Sequence, residues 1–530
     1  MGSVPGFAEG PAAPGRLMSQ PVRPPGVAPS APGPGEARLL ASGALVQQIA
    51  QASGLLALLV IVTVLARRLS VAELGAYGLV ASLAGYLLVL RNSVASSAVR
   101  AMAAALDSGE RARMFSAAAA LYAGVGLATG LVIALAGLAI AAFILEGSLA
   151  RDARIGGVGL GLVTAVGIAA SIYLDALRAE RQFVRAAATE IAAVVLYLGL
   201  MLALILSGAG LGAVIAVSGA LPLLSGLLSA LVIRRLALPF WFARDGVTRD
   251  RAMEIVPTAG YLLLVELSTL VMYGFQRVIL GAFTSARTVG LYEGPVRAHN
   301  LFYALGGALA VPVVPTASRY VAERDARRLR ALALRGTRYT LALIVPLCVA
   351  LMALAEPILD VWLGERYGDG AAALTILVSY WLLYGGLVVT PGFLVGAGAA
   401  RYLARIFVLV AALNFVLTLV LTPGLGIEGP ALATAIPFAL AFPLVLGVGL
   451  RAGGVPLGDL ARRAWLPAYG LGAALAGALM VLRLVAEPET LPAVLGAAAC
   501  GVFAYWLAFY VIVLDRRERA LVRGLVGSGR

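Results

Sequence analysis

Charge is scarce in this sequence. Only 13% of its 530 residues are charged while 61% are hydrophobic, and the mean hydropathy of +0.94 excludes a water-soluble globule. Lysine is missing altogether, so all 41 basic residues are arginine, which reads as a GC-rich coding bias rather than as chemistry. A single histidine, His299, and two cysteines, Cys348 and Cys500, are too few ligands for an ordinary zinc site. Both cysteines lie far apart inside apolar runs, where they read as packing residues without disulfide or metal. No GxxxxGK(S/T) phosphate loop occurs, so ATP is not expected to act directly. No apolar core follows Met1 closely enough for a cleavable signal peptide, so the first apolar run is expected to be retained.

What the chain does have is a succession of long apolar runs. Residues 1–38 are rich in Pro, Gly and Ala and are expected to form a disordered cytoplasmic tail. After it, the spacing predicts an all-α polytopic membrane protein with fourteen spans, near 39–66, 71–100, 114–143, 155–176, 186–207, 211–233, 254–283, 287–318, 337–356, 371–398, 402–422, 427–450, 464–484 and 491–514. Arginine tests that count independently. Even-numbered loops hold arginines such as Arg100, Arg178, Arg234, Arg319, Arg401 and Arg451, outnumbering those of the odd-numbered loops (Arg67, Arg68, Arg151, Arg154, Arg287, Arg366, Arg483) roughly threefold. The alternation places both termini in the cytoplasm. The net charge of +14 is thereby explained by topology, and no nucleic-acid partner is expected.

One stretch returns. LARRLSVAELGAY, Leu65 to Tyr77, is echoed by LGAFTSARTVGLY, Leu280 to Tyr292, with Leu65/Leu280, Ser70/Ser285, Gly75/Gly290 and Tyr77/Tyr292 in register. Arg181-Gln-Phe-Val-Arg185 likewise resembles Arg401-Tyr-Leu-Ala-Arg405. Six spans separate the copies, and an even number preserves orientation, so two parallel six-helix repeats are expected, with two helices appended. The division is an N-lobe at 39–235, a cytoplasmic linker at 236–253, a C-lobe at 254–450, the last two spans within 451–514 and a cytoplasmic tail at 515–530. Ser70 and Glu73 form a capping-box pattern, so the second helix should begin there, and Ser285 keeps the capping role.

The LARRLSVAELGAYGL hinge, the VGLY echo at Val289 to Tyr292, the Gly-rich GLGIEGPALA run and the fourteen-span layout resemble the Wzx-like polysaccharide and lipid-linked oligosaccharide flippases of the multidrug/oligosaccharidyl-lipid/polysaccharide exporter superfamily. The resemblance covers about residues 39 to 514. It implies a V of two six-helix lobes in the cytoplasmic membrane, alternating access, and a polyprenyl-diphosphate-linked glycan as cargo. It also implies a glycan polymerase or glycosyltransferases as neighbours, a monomer, and no cofactor.

Polar residues inside spans are the candidate site, because a charge at mid-bilayer costs about 2.5 to 3.5 kcal/mol on insertion scales and is normally compensated by a cavity or a partner. Arg91 and Asn92 lie in span two, Glu266, Gln276 and Arg277 in span seven, and Glu293, Arg297, His299 and Asn300 in span eight. Arg91, Arg277 and Arg297 together suit a diphosphate, which takes bidentate hydrogen bonds from guanidinium groups. The plainer alternatives are that Glu293 and Arg297, spaced i, i+4, neutralise each other, and that Arg91 snorkels to the surface. His299 lies about 200° around the helix from Arg297 and reads as a packing residue before a cargo contact. Gln51 makes span one polar on part of its surface and holds the repeat position of Glu266. Glu266, about three turns before Arg277, either couples transport to H⁺ or Na⁺ or makes a structural hydrogen bond. Pro257, Gly260, Gly274, Pro312 and Pro315 are candidate hinges.

Two other functions are weighed. An ion-coupled drug or cation exporter of the same superfamily would want an acidic cavity, whereas here arginine predominates. A membrane glycosyltransferase or polymerase would need acidic or His groups in sizeable outer loops; the fullest, near Glu356 to Asp369, has no paired motif, so no catalytic set and no enzyme activity are expected.

Overall fold

The structure is a computed structural model and describes residues 34–255, 260–310, 313–387, 389–396, 400–486, 488, 490–516, 518–520 and 523. Lipid offers the backbone no hydrogen-bond partners, so a chain this apolar must satisfy its peptide groups internally, and the described residues do so with helices alone. A first group comprises α1 (Pro34–Arg68), α2 (Val71–Ala104), α3 (Ser108–Phe143), α4 (Gly147–Ala170), α5 (Ile172–Ala179), α6 (Phe183–Leu206), α7 (Leu211–Val217) and α8 (Leu221–Arg235). The short α9 (Arg249–Ile255) follows. A second group comprises α10 (Gly260–Phe283), α11 (Ala286–Ala310), α12 (Val313–Ala322), α13 (Ala326–Ala353), α14 (Ala355–Leu363), α15 (Ala371–Gly385), α16 (Val389–Gly396), α17 (Ala400–Leu425) and α18 (Glu428–Gly453). The chain ends in α19 (Leu457–Leu460), α20 (Leu466–Ala486) and α21 (Leu491–Ile512).

Among the described residues, 10 helices are long and apolar enough to cross a membrane, or 11 if α7 and α8, bent by 47°, count as one span. The four expected stretches that do not pass as single helices are spans six, seven, eight and ten. Span six is that bent pair. Span seven is described as an apolar helix only over Leu267–Phe283, and Pro257 lies outside the described residues. Span eight, in α11, carries Arg287, Glu293, Arg297, His299 and Asn300, too polar to face lipid all round; Pro312 beyond it is also outside the described residues. Span ten divides between α15 and α16 just after Gly385 and Gly386. At the other end of the chain, α1 begins at Pro34, so residues 34–38, expected to belong to the tail, are helical. Pro is tolerated in a first helical turn, and Glu36-Ala37-Arg38 are good helix formers.

Within the first group α3 packs along α4, α4 along α7 and α1 along α6; within the second, α17 packs on α18, α10 on α17, and α13 and α18 flank α15. α20 and α21 lie against α13. The two groups meet where α2 runs against α10 and α11. That seam is where the repeated stretch lies. Ser70 and Glu73 form the expected capping box, Ser70 Oγ accepting from the Glu73 N–H at 3.2 Å and Glu73 Oε2 from the Ser70 N–H at 2.7 Å. Ser285 Oγ accepts from the Thr288 N–H at 3.2 Å. The two copies face each other glycine to backbone: a methyl on Gly75 would lie 1.8 Å from the Ala286 carbonyl oxygen, and one on Gly290 1.9 Å from that of Val71. Val71 and Ala286 hold equivalent places in the two copies, so the contact is reciprocal.

Candidate functional site

At the seam, α10 and α11 bring three charges together against α2. Arg277 on α10 is 1% exposed and its Nε donates to Oε1 of Glu293 on α11, which is wholly buried. Arg277 Nη1 also donates to the Tyr86 hydroxyl of α2, at 3.1 Å, and its guanidinium lies 5.9 Å over the Tyr86 ring. One turn along α11, Arg297 Nη2 is 3.0 Å from Glu293 Oε2, a charge contact without hydrogen-bond alignment, since that oxygen has no hydrogen-bond partner among the described residues. The buried Arg297 Nε is also without a hydrogen-bond partner there. Two guanidinium groups share one carboxylate, so the cluster holds one positive charge in excess. The i, i+4 alternative is therefore half of the answer: Glu293 does pair with Arg297, but it pairs with Arg277 as well.

The helix register explains the assembly. Gly78 occupies the repeat position of Glu293, and a methyl there would come within 2.3 Å of Glu293 Oε1, so the missing side chain on α2 makes room for the carboxylate on α11. Val62 and Ser82 stand at the positions of Arg277 and Arg297. One copy supplies the space and the other supplies the charges.

Arg91 lies elsewhere. Its Nη2 donates to Asp175 of α5 and its Nε to Ser171 Oγ at 3.0 Å, so it turns inward to a carboxylate instead of snorkelling. Asp175, 1% exposed, also accepts from Tyr122 at 2.7 Å and from Arg178 Nη1 at 2.8 Å. Arg178 Nη2 continues to Glu190 of α6 at 2.8 Å, and Glu190 accepts from Gln47 Nε2 at 3.0 Å. Two arginines and two acids make this network neutral. Sequence reading passed over Asp175 and Glu190, although the stretches expected as spans four and five contain them; the available signal was the Asp175/Arg178 spacing of three, one helical turn.

The remaining candidates scatter. Asn92 is exposed and accepts from Arg91 Nη1 at 3.3 Å; Gln51 is exposed; the Glu266 side chain lies outside the described residues. His299 is 2% exposed and packs among Tyr273, Tyr380 and Trp381, bonding the Tyr380 hydroxyl through Nε2, while its Nδ1 is 3.4 Å from Asn300 Oδ1. Gln276 is buried in a neutral cluster, accepting from Tyr292 at 3.2 Å and donating to Thr434 Oγ1 at 2.6 Å. Among the described residues no group of three or more His, Cys, Asp or Glu is placed to hold a metal.

The chain has recognisable relatives. A family model described as "Polysaccharide biosynthesis protein" matches residues 64–372, more than half of the chain and the whole of the seam. Agl15 of Haloferax volcanii, a probable low-salt glycan biosynthesis flippase, is 24% identical over 162 residues, 31% of this chain and 34% of that protein. AglR of the same organism, a probable flippase, is 27% identical over 198 residues, 36% of this chain and 41% of its own length. The chain thus matches about a third to two-fifths of the length of these relatives. The lipid II flippase MurJ, in an inward closed conformation, shares the fold with a TM-score of 0.67 at 16% identity, over 88% of this chain and 99% of its own.

Proposed function

This chain belongs to the polysaccharide biosynthesis protein family, and on that premise we propose that it translocates a polyprenyl-diphosphate-linked oligosaccharide, or a related lipid-linked glycan, across the cytoplasmic membrane by alternating access. The observation that carries the proposal is the excess positive charge of the Arg277–Glu293–Arg297 cluster, with Arg297 Nε unpartnered among the described residues. A diphosphate accepts charge-assisted hydrogen bonds from such a group and can compete with Glu293 for it. Arg91 joins only if the cargo displaces Asp175, so we place it as a secondary contact, with Asn92, Gln51 and Asn300 toward the sugar. His299, sealed among aromatic rings, acts as support for the wall.

The architecture proposed with this function has fourteen spans, counting the four broken or polar stretches, with both termini cytoplasmic. Two parallel six-helix lobes, 39–235 and 254–450, are joined by the linker 236–253. The reciprocal Gly75/Gly290 contact supports such a duplication, because helices related by an axis along the membrane normal meet through equivalent residues. The protein acts as a monomer without a cofactor. Glu266 is the proposed point of H⁺ or Na⁺ coupling, and the enzymes that build or polymerise the glycan are the proposed neighbours.

The test is export of the glycan in cells carrying Arg297→Gln. Loss of surface glycan at normal protein level, with lipid-linked glycan accumulating on the inner leaflet, is expected; full export overturns the docking model. Arg277→Ala is a poorer test, since it also removes the buried pairing with Glu293 and the hydrogen bond to Tyr86, so a loss of export would not separate docking from packing. Dye efflux without any change in surface glycan would instead favour a cation exporter.

A further inference from the structure

The seam between the two helix groups is built asymmetrically from a symmetric motif. Where the copies agree, at Gly75 and Gly290, the backbones touch so closely that neither position has space for a methyl group. Where they differ, α2 offers Gly78 as a socket and α11 fills it with Glu293; Glu293 holds Arg277, and Arg277 reaches back across the seam to Tyr86. Gly78 and Tyr86 are eight residues apart, close to two turns, so they lie on one face of α2. The same end of the molecule carries further ties between the groups. Trp362 Nε1 donates to Thr63 Oγ1 at 2.7 Å, and Arg67 Nη2 donates to the Val361 carbonyl at 2.8 Å, tying α14 to the end of α1.

We propose that the Glu293–Gly78 socket and the Arg277–Tyr86 hydrogen bond form a latch that holds the two helix groups closed at the end bearing residues 67–70 and 284–285, which makes Gly78, Tyr86 and Glu293 positioning residues for opening. Burial strengthens the latch because water does not compete for the ion pair while the seam is shut, and parting the groups must break it. The glycines make the closed contact tight, and the charged residues make it switchable. The latch acts on the protein's conformation whatever the cargo, so its test uses no glycan.

Cys348 and Cys500 are first replaced by alanine, and Ser82→Cys is introduced as a reporter. Ser82 is 8% exposed and lies one turn beyond Gly78 on α2. Its rate of labelling by a membrane-impermeant maleimide is measured from each face, in whole cells and in inside-out vesicles. With the latch intact the reporter labels slowly. Tyr86→Phe, which removes only the hydroxyl, should raise labelling roughly tenfold from one face alone, as expected for losing a hydrogen bond to a charged group. Gly78→Ala, which drives Glu293 from its socket, should raise it at least as much. Thr189→Cys, buried inside the first group against Ser229, serves as the control and should stay unreactive in both variants. Tyr86→Phe keeps the test alive if Gly78→Ala fails to fold. Unchanged labelling of Ser82→Cys in folded Tyr86→Phe protein overturns the latch, as does an equal rise at Thr189→Cys or from both faces.

Discussion

At the scale of single residues, the charges of this membrane protein are decided by their partners. Asp175 sits wholly inside the first helix group with three donors around its carboxylate. Asp175→Asn is expected to cost on the order of 3–5 kcal/mol, because it leaves Arg91 and Arg178 under-compensated in a poorly solvated site. A fall in the unfolding midpoint of purified protein in detergent measures this. Asp360, in α14 outside the spanning helices, is the opposite case. Burial, together with the nearby Glu356, Glu365 and Asp369 carboxylates, holds its pKa above the ordinary aspartate value, and its Oδ1 has no partner among the described residues. The folded protein therefore binds the proton more tightly than the unfolded chain does. That penalty is absent at pH below the ordinary aspartate pKa of about 3.9, appears as pH rises through it, and is complete above the raised folded value. Asp360→Asn should thus stabilise the protein at neutral pH and be without effect at strongly acid pH, as thermal unfolding across that range would show. Which acids would be buried was only partly legible. Glu293 was visible from its i, i+4 spacing to Arg297, but nothing local in the sequence says that Arg277 lies on the other side of it.

At the scale of elements, helix starts and close crossings carry the order. The capping box at Ser70 was readable because its two bonds are local, made within four residues. Ser70→Ala should cost about 1 kcal/mol of stability. Ser285→Ala should cost no more, since Thr288 stands where Glu73 does and no reciprocal carboxylate bond is lost. Comparing the two unfolding midpoints checks this. Glycines matter where helices touch: α3 and α4 approach until a methyl on Gly137 would stand 2.8 Å from the Gly157 Cα. Such small-residue contacts let helices pack in lipid, where there is no hydrophobic drive to associate. Beyond α21 the tail docks on the bundle: Glu518 is 4% exposed and accepts from Tyr339 at 2.7 Å, so the chain folds back on α13. Glu518, one of two acids among several arginines in that tail, gave no hint of its docking partner 179 residues earlier.

For the whole molecule, the proposed orientation follows from arginine placement and predicts a pattern of reporter fusions. Alkaline phosphatase fused after residue 69 or 285 should be active, and fused after 106 or 246 inactive; the reverse pattern would invert the orientation while leaving the helix packing untouched. The latch at the seam would then face the cytoplasm.

The amino-acid order alone determined that this is a helical protein of the membrane, that its second helix begins at the Ser70 capping box, and that one stretch recurs. These properties depend on hydrophobicity, capping and spacing, which act over a few residues and can be read without a partner in view. Only the tertiary structure decided that Arg91 is neutralised by Asp175, that Arg277 and Arg297 share Glu293, and that Gly78 leaves the space Glu293 fills. The physical reason is that a charge removed from water takes whatever counter-charge packing brings within about 4 Å, and contacts between helices hundreds of residues apart are settled by how their surfaces fit, not by their spacing along the chain.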